Sequence, residues 1–208
     1  MPRFSSLCLF AIVAVYWMRV LKMAVKSRRR AESSAHLIPP EPLGRRLRLV
    51  WVPTVVLWIA IPANDAFTSH RHRLDEPAAL RWTAVCIALA ALAATWACWR
   101  KMGRQWRMGI DPNEANPLIV TGPWAYVRHP IYALSSLLML ATFLGVPNAA
   151  MAVVAVIHLS LLHWEAIREE RHLLDVHGAA YHDYCRHVGR FLPKHLHAYR
   201  PMVHPSHP

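Results

Sequence analysis

The sequence predicts an all-α integral membrane protein with about five transmembrane helices and a polar cytoplasmic region toward its C-terminus. Three observations carry that expectation. Of the 208 residues, 55% are apolar. The apolar residues fall into blocks and the charges sit between them, which is how membrane-spanning helices are laid out. The formal net charge is +12, with Lys and Arg gathered at block ends, where positive charge orients a chain in a bilayer.

The first apolar block covers about 4–25. Arg19 and Lys22 lie within reach of an interface, and the basic run Lys26-Ser-Arg-Arg-Arg30 follows. No small-x-small cleavage pattern follows Ala14 to Met18, so the block reads as a stop-transfer helix rather than a cleaved signal. The second block, about 49–67, contains Pro53 and Pro62. Proline bends a helix in a membrane without having to end it. The third, about 80–99, is Ala-rich, with Trp82, Trp96 and Trp99 expected as interface anchors. Blocks at about 130–146 and 148–164 are near the lower length for a span and read as a helical hairpin, turning at Pro147-Asn148. From Glu165 the chain is polar. The whole, 1–208, reads as a single membrane domain: helices one to three within 1–99, a core at 100–193 that includes the hairpin, and a flexible tail at 194–208.

The loops after blocks one and three are more basic than the loop after block two, where Arg71, Arg73 and Arg81 are offset by Asp75 and Glu76. With five spans this places the N-terminus outside and the C-terminal tail in the cytoplasm, and a bacterial inner membrane is expected. Both polar stretches that flank the last hairpin then meet on one face. Segregated basic residues without a recognition helix or zinc-finger pattern argue against nucleic acid as a partner. Cys8, Cys86, Cys98 and Cys185 form no CxxC pair, which argues against a zinc site or disulfide framework.

Two constellations carry chemistry. Gly122-Pro-Trp-Ala-Tyr-Val-Arg-His-Pro-Ile-Tyr132 runs from a turn into the fourth apolar block, with Pro130 suited to a first helical turn. A helix start has unpaired N–H groups and a positive dipole end, and Arg128 and His129 add positive charge there, so the spot suits a carboxylate or phosphate. Interface anchoring of the two cations is the plainer alternative. In Glu165-Ala-Ile-Arg-Glu-Glu-Arg-His172, helical spacing places Glu165, Glu169 and His172 on one side. Those carboxylates could bind amino or hydroxyl groups, or form ordinary Glu–Arg pairs on a solvated helix. A zwitterionic ligand with sugar hydroxyls would use both constellations.

Taken in order, Gly-Pro-x-x-Tyr-Val-Arg-His-Pro-x-Tyr at 122–132, Glu-Glu-x-x-Leu at 169–173, and Tyr-x-x-Tyr with Arg-Phe-x-Pro at 181–193 resemble the isoprenylcysteine carboxyl methyltransferase and phospholipid methyltransferase superfamily. Gly103-Arg-Gln-Trp-Arg-Met-Gly109 resembles the segment ahead of that core in bacterial members. The resemblance covers about 100–193 and implies that this stretch is the cofactor-binding catalytic core. It implies an enzyme dependent on S-adenosylmethionine, acting on a lipophilic or lipid acceptor that enters from the bilayer. Gly122, Tyr126, Arg128, His129, Pro130, Tyr132, Glu169 and Glu170 are the implied cofactor-binding residues. His129, Glu169 and Arg107 are candidates for work on the acceptor, and no metal is implied. Leu134 stands where many relatives have glycine after Tyr-x. Prenylated cysteine carboxyls, phospholipid amines and thiols all remain open as acceptors.

Three alternatives stand beside this one. Membrane sterol reductases share a similar Arg-His-Pro-x-Tyr and Tyr-x-x-Tyr ending but bind NADPH; the short chain and Glu169-Glu170 favour methyl transfer. A di-iron oxygenase would need two Glu-x-x-His pairs; among fourteen histidines Glu169-x-x-His172 is one such pair and His177-x4-His182 superficially resembles a membrane di-iron motif, but there is no second pair and no His-His doublet. A non-enzymatic scaffold explains the spans but not the ordered polar motifs.

Overall fold

The computed structural model describes residues 4–29, 42–68, 77–103, 106 and 117–200. Arg107, and most of the segment 104–116 that carries it, lie outside the described residues. Five helices follow in order: α1 (Phe4–Arg29), α2 (Pro42–Phe67), α3 (Ala78–Met102), α4 (Pro130–Gly145) and α5 (Ala149–His187). Four are long and apolar enough to cross a membrane, and α4 is a shorter apolar helix. The fold is that of an all-α integral membrane protein.

At 1.5 Å per residue, α1, α2 and α3 each reach about 38 Å and cover a hydrocarbon layer with room to spare. Helix α4 reaches only about 24 Å, short of the roughly 30 Å of a hydrocarbon layer. Pro53 and Pro62 lie inside α2 and do not end it. The hairpin turn is built by Asn148, which caps α5 by accepting from the Met151 N–H at 2.8 Å.

Small residues set the packing of α4 on α3. Ala84, Ala88 and Ala91 form a buried stripe on α3, and a Cβ at Gly145 would come within 3.1 Å of Ala84 and 2.4 Å of Leu9. Helices in lipid gain little from hydrophobic burial against one another, so close backbone approach through small residues does that work. Large side chains such as Leu49, Val52, Val56, Val153 and Val156 are exposed on the outer faces, as expected for lipid contact.

Aromatic rings fill the centre. Tyr16 contacts Trp17, Trp58 and Trp99 at centroid distances of 5.2, 6.3 and 5.2 Å. Trp99, expected at the interface, is buried in this cluster, because the last turns of α3 face α1 rather than lipid. Arg19 lies over the Trp96 ring at 5.0 Å, a cation–π contact that lets a cation approach an apolar zone.

Helix α5 runs past the apolar block and breaks at Gly178, whose φ of 51° is left-handed. Glycine takes this conformation without steric cost. The break redirects the last turns so that Tyr181 and Tyr184 become buried, forming a small second core with Val188.

Candidate functional site

The site grows from the loop that leads into α4. Gly122, at φ 66°, opens a 3-10 turn over Gly122–Ala125, with Pro123 at its start. Trp124 and Ala125 are buried, and their carbonyls are used as anchors: the Tyr184 hydroxyl donates to Trp124 O at 2.5 Å and the Tyr199 N–H to Ala125 O at 2.9 Å. Tyr199 also donates through its hydroxyl to Asp183 Oδ2 at 2.8 Å, so residues 194–200 fold back against the site.

The next residues pair with the segment after α5. Val127 and Gly189 form an isolated parallel bridge. The N–H groups of Arg128 and His129 donate to the carbonyls of Gly189 and Arg190 at 2.8 and 3.0 Å. Gly189 fits for lack of space: a Cβ there would lie 1.9 Å from the Leu192 carbonyl oxygen. The sequence motifs at 122–132 and 181–193 are thus two sides of one joint.

Glu170 is the hub of this joint. Its Oε1 accepts from Arg128 Nε at 3.0 Å and Arg190 Nε at 2.9 Å, and its Oε2 from Arg190 Nη2 at 2.7 Å. His129 Nε2 stands 3.2 Å from Oε1. Arg128 also donates through Nη1 to the carbonyls of Cys185 and Val188. The Glu170 and Arg128 side chains are 12% and 9% exposed, so these bonds act where water screens little.

His129 lies between the two carboxylates. Its Nδ1 is 3.5 Å from Glu169 Oε2, its side chain only 5% exposed against 37% for Glu169. The Tyr132 ring stacks on its imidazole at 5.3 Å with planes 3° apart, and Phe191 stands at 6.2 Å on a tilt. Pro130 is buried at the first position of α4, and no side chain caps that helix start. Its first free N–H groups are available to a ligand.

Electrostatics follow from these contacts. Burial alone would lower the His129 pKa, but the hydrogen bonds and charges of Glu169 and Glu170 outweigh it and raise it above the ordinary 6.5. For Glu170, burial acts upward; hydrogen bonds from His129 and Arg190 and the charge of Arg128 prevail and hold it well below the carboxylate range. Glu169 is also lowered: burial opposes, and the bond and charge of His129 and the Tyr132 hydroxyl outweigh it. The Arg190 pKa is raised, chiefly by its bond to Glu170.

The structure therefore brings Arg128, His129, Pro130, Tyr132, Glu169 and Glu170 together, and Gly122 shapes the turn that leads to them. Tyr126 is 40% exposed and stands outside the charged network. Arg190 and Phe191 are the additions. Both lie in a motif visible in the sequence, but only the return of the chain after the Gly178 break shows what they touch. Glu169 and Glu170, equivalent as neighbours in sequence, differ sharply: one is enclosed by two guanidinium groups, the other retains exposed surface.

Residues 79–180 match the family model described as phospholipid methyltransferase. The nickel-cobalt-cadmium resistance protein NccN of Alcaligenes xylosoxydans xylosoxydans is 27% identical over 94 residues, 45% of this chain and 44% of that protein. The match thus spans under half the length of that relative. No solved structure matches. The matched region runs from α3 to just past the break in α5 and holds Arg128, His129, Tyr132, Glu169 and Glu170. Through residues 79–180, just under half of its length, the chain is similar to the phospholipid methyltransferase family, within the isoprenylcysteine carboxyl methyltransferase superfamily.

Proposed function

We propose that this protein transfers a methyl group from S-adenosylmethionine to a lipophilic acceptor that reaches the site from the bilayer. The observation that carries this reading is the convergence of an uncapped helix start, His129 and the accessible carboxylate of Glu169 at one end of the α4–α5 hairpin, inside the part of the chain that matches a methyltransferase family. That donor set suits a zwitterion with ribose hydroxyls. Free N–H groups at the start of α4 would take its carboxylate, and Glu169 its amine or hydroxyls. Glu170 has its oxygens taken by Arg128 and Arg190, so its part is to hold the joint in shape. In a bacterial inner membrane, this end faces the cytoplasm and the N-terminus lies outside.

A bound sulfonium supplies an electrophilic methyl group. The chain's own residues would orient and enclose it: the Tyr132 and Phe191 rings that flank His129 supply aromatic faces, and alignment within a dry site accounts for much of the rate of such displacements. His129 is held toward its protonated form and Glu169 toward its ionised form. Neither is a strong resting base, which suits an acceptor that is nucleophilic without losing a proton.

Calorimetry on the detergent-purified chain tests the reading. S-adenosylmethionine binds and NADPH does not, and Glu169→Gln weakens binding at least tenfold. Binding of NADPH alone, or of neither compound, would sink the proposal.

A further inference from the structure

Helices α4 and α5 carry polar side chains from the site into the apolar interior. On α4, Tyr132, Ser135 and Thr142 follow at intervals of three and seven; on α5, His158, Glu165 and Glu169 follow at seven and four. Such intervals keep each set on one helix face. The two sets meet deep in the bundle, where Ser135 Oγ and His158 Nε2 are 3.1 Å apart. The Trp58 ring from α2 lies 4.6 Å from the His158 imidazole and donates to Thr142 Oγ1 at 3.1 Å. His158 is fully buried, and its Nδ1 has no hydrogen-bond partner among the described residues.

An unpartnered ring nitrogen in a water-free span is unfavourable, and an apolar side chain would fill the same space without that penalty. Ionisable residues kept at such depth mark paths for ligands or protons. The charged joint around Glu170 does not extend to His158. Eleven residues separate His158 from Glu169, about 16 Å along the helix.

We infer that His158 is a specificity-determining residue whose Nδ1 hydrogen-bonds the acceptor. The inference rests on the methyl transfer proposed above. It defines the acceptor as a lipophile with its methylated atom beside Glu169 and Tyr132 and a second hydrogen-bonding oxygen, such as an ester carbonyl, roughly 10–16 Å farther along the bundle. The inference assigns the Ser135 hydroxyl as donor to Nε2, the tautomer that carries the ring proton on Nδ1.

Three substitutions separate this role from simple packing. Asparagine retains a polar atom near the position of Nδ1, glutamine near Nε2, and phenylalanine neither. The full-length protein would be assayed for transfer of label from methyl-labelled S-adenosylmethionine to a total lipid extract of the expression host's membranes. His158→Phe and His158→Gln raise the half-saturating lipid concentration at least tenfold, His158→Asn stays within threefold of wild type, and cofactor affinity is unchanged in all three. Rescue by Gln and not by Asn, no effect in any variant, or a parallel loss of cofactor affinity overturns the inference. Where the His158 variants do not fold, Ser135→Ala reads the same chain of bonds. Loss of the tautomer-fixing hydroxyl raises the half-saturating concentration severalfold, and an unchanged value overturns the inference. A wild type that binds the cofactor but labels no lipid overturns this inference alone, whereas one that does not bind the cofactor sinks the proposed function as well.

Discussion

Arg190 holds both oxygens of Glu170, with Nε 2.9 Å from Oε1 and Nη2 2.7 Å from Oε2. The two residues are 20 apart in sequence, and the pairing closes the chain after α5 back onto the helix it has just left. Because Arg128 and His129 reach the same carboxylate, this bidentate pair fixes the loop before α4 as well.

Glu170→Ala should therefore act on stability first. It leaves Arg128, Arg190 and a raised-pKa His129 without their shared anion. Removing one partner of a buried pair costs roughly 3–5 kcal/mol, and the lower end applies because Arg190 retains 31% side-chain exposure. Thermal unfolding in detergent should show a clear drop. Glu169→Ala, by contrast, removes a carboxylate that is 37% exposed, and should lower the unfolding midpoint less than Glu170→Ala does while weakening cofactor binding.

The joint should have a pH window. Glu170 is lowered on folding, so its contribution is complete above the ordinary carboxylate value of 4.5 and is lost as pH falls toward its folded value. His129 is raised, so its contribution is complete below 6.5 and is lost as pH rises through its folded value. Stability contributed by the joint should peak between those ordinary values. Unfolding midpoints of wild type and His129→Gln, compared at pH 5.5 and 8.5, check this: the difference between the two proteins should shrink at the higher pH.

Gly189→Ala should disrupt the joint through space alone. The added Cβ would lie 1.9 Å from a backbone carbonyl, which cannot swing aside as a side chain would. Overpacking of this kind costs roughly 1–3 kcal/mol. Faster protease cleavage within 188–200, with the transmembrane helices intact by circular dichroism, is the expected result.

Tyr184→Phe removes the hydroxyl that meets the Trp124 carbonyl at 2.5 Å and leaves that buried acceptor unpaired. The cost should be about 1–3 kcal/mol, seen in thermal unfolding. Tyr181→Phe is the control: among the described residues the buried Tyr181 hydroxyl bonds no oxygen or nitrogen and has the Cys185 thiol, a weak acceptor, beside it, so its removal should cost clearly less than that of the Tyr184 hydroxyl.

Inside the membrane, Thr142→Val takes away the acceptor for Trp58 Nε1. Interhelical hydrogen bonds in such bundles average about 0.6 kcal/mol, so only a small fall in the unfolding midpoint is expected. A red or blue shift of tryptophan emission should accompany it, since Trp58 is otherwise fully buried.

The helices were legible in the sequence because lipid imposes a one-dimensional rule: about twenty apolar residues, with charges outside them. Blocks at about 4–25, 49–67 and 80–99 correspond to α1, α2 and α3, and the turn at Pro147-Asn148 to the gap between α4 and α5. The meeting of the 122–132 and 165–172 stretches also followed, since a hairpin brings its two ends together. What the sequence left undecided is which side chain touches which. Glu169 and Glu170 share a motif, yet only the turn of α5 assigns Glu170 to Arg128 and Arg190. Arg190, Gly189 and Tyr199 acquire their roles from a chain reversal after Gly178, a long-range event without a local periodic signal. Trp99 and His158 make the same point within the bilayer. Composition places them in apolar helices, but the facing of α3 against α1, and of α5 against α4 and α2, decided that one packs on Tyr16 and the other meets Ser135.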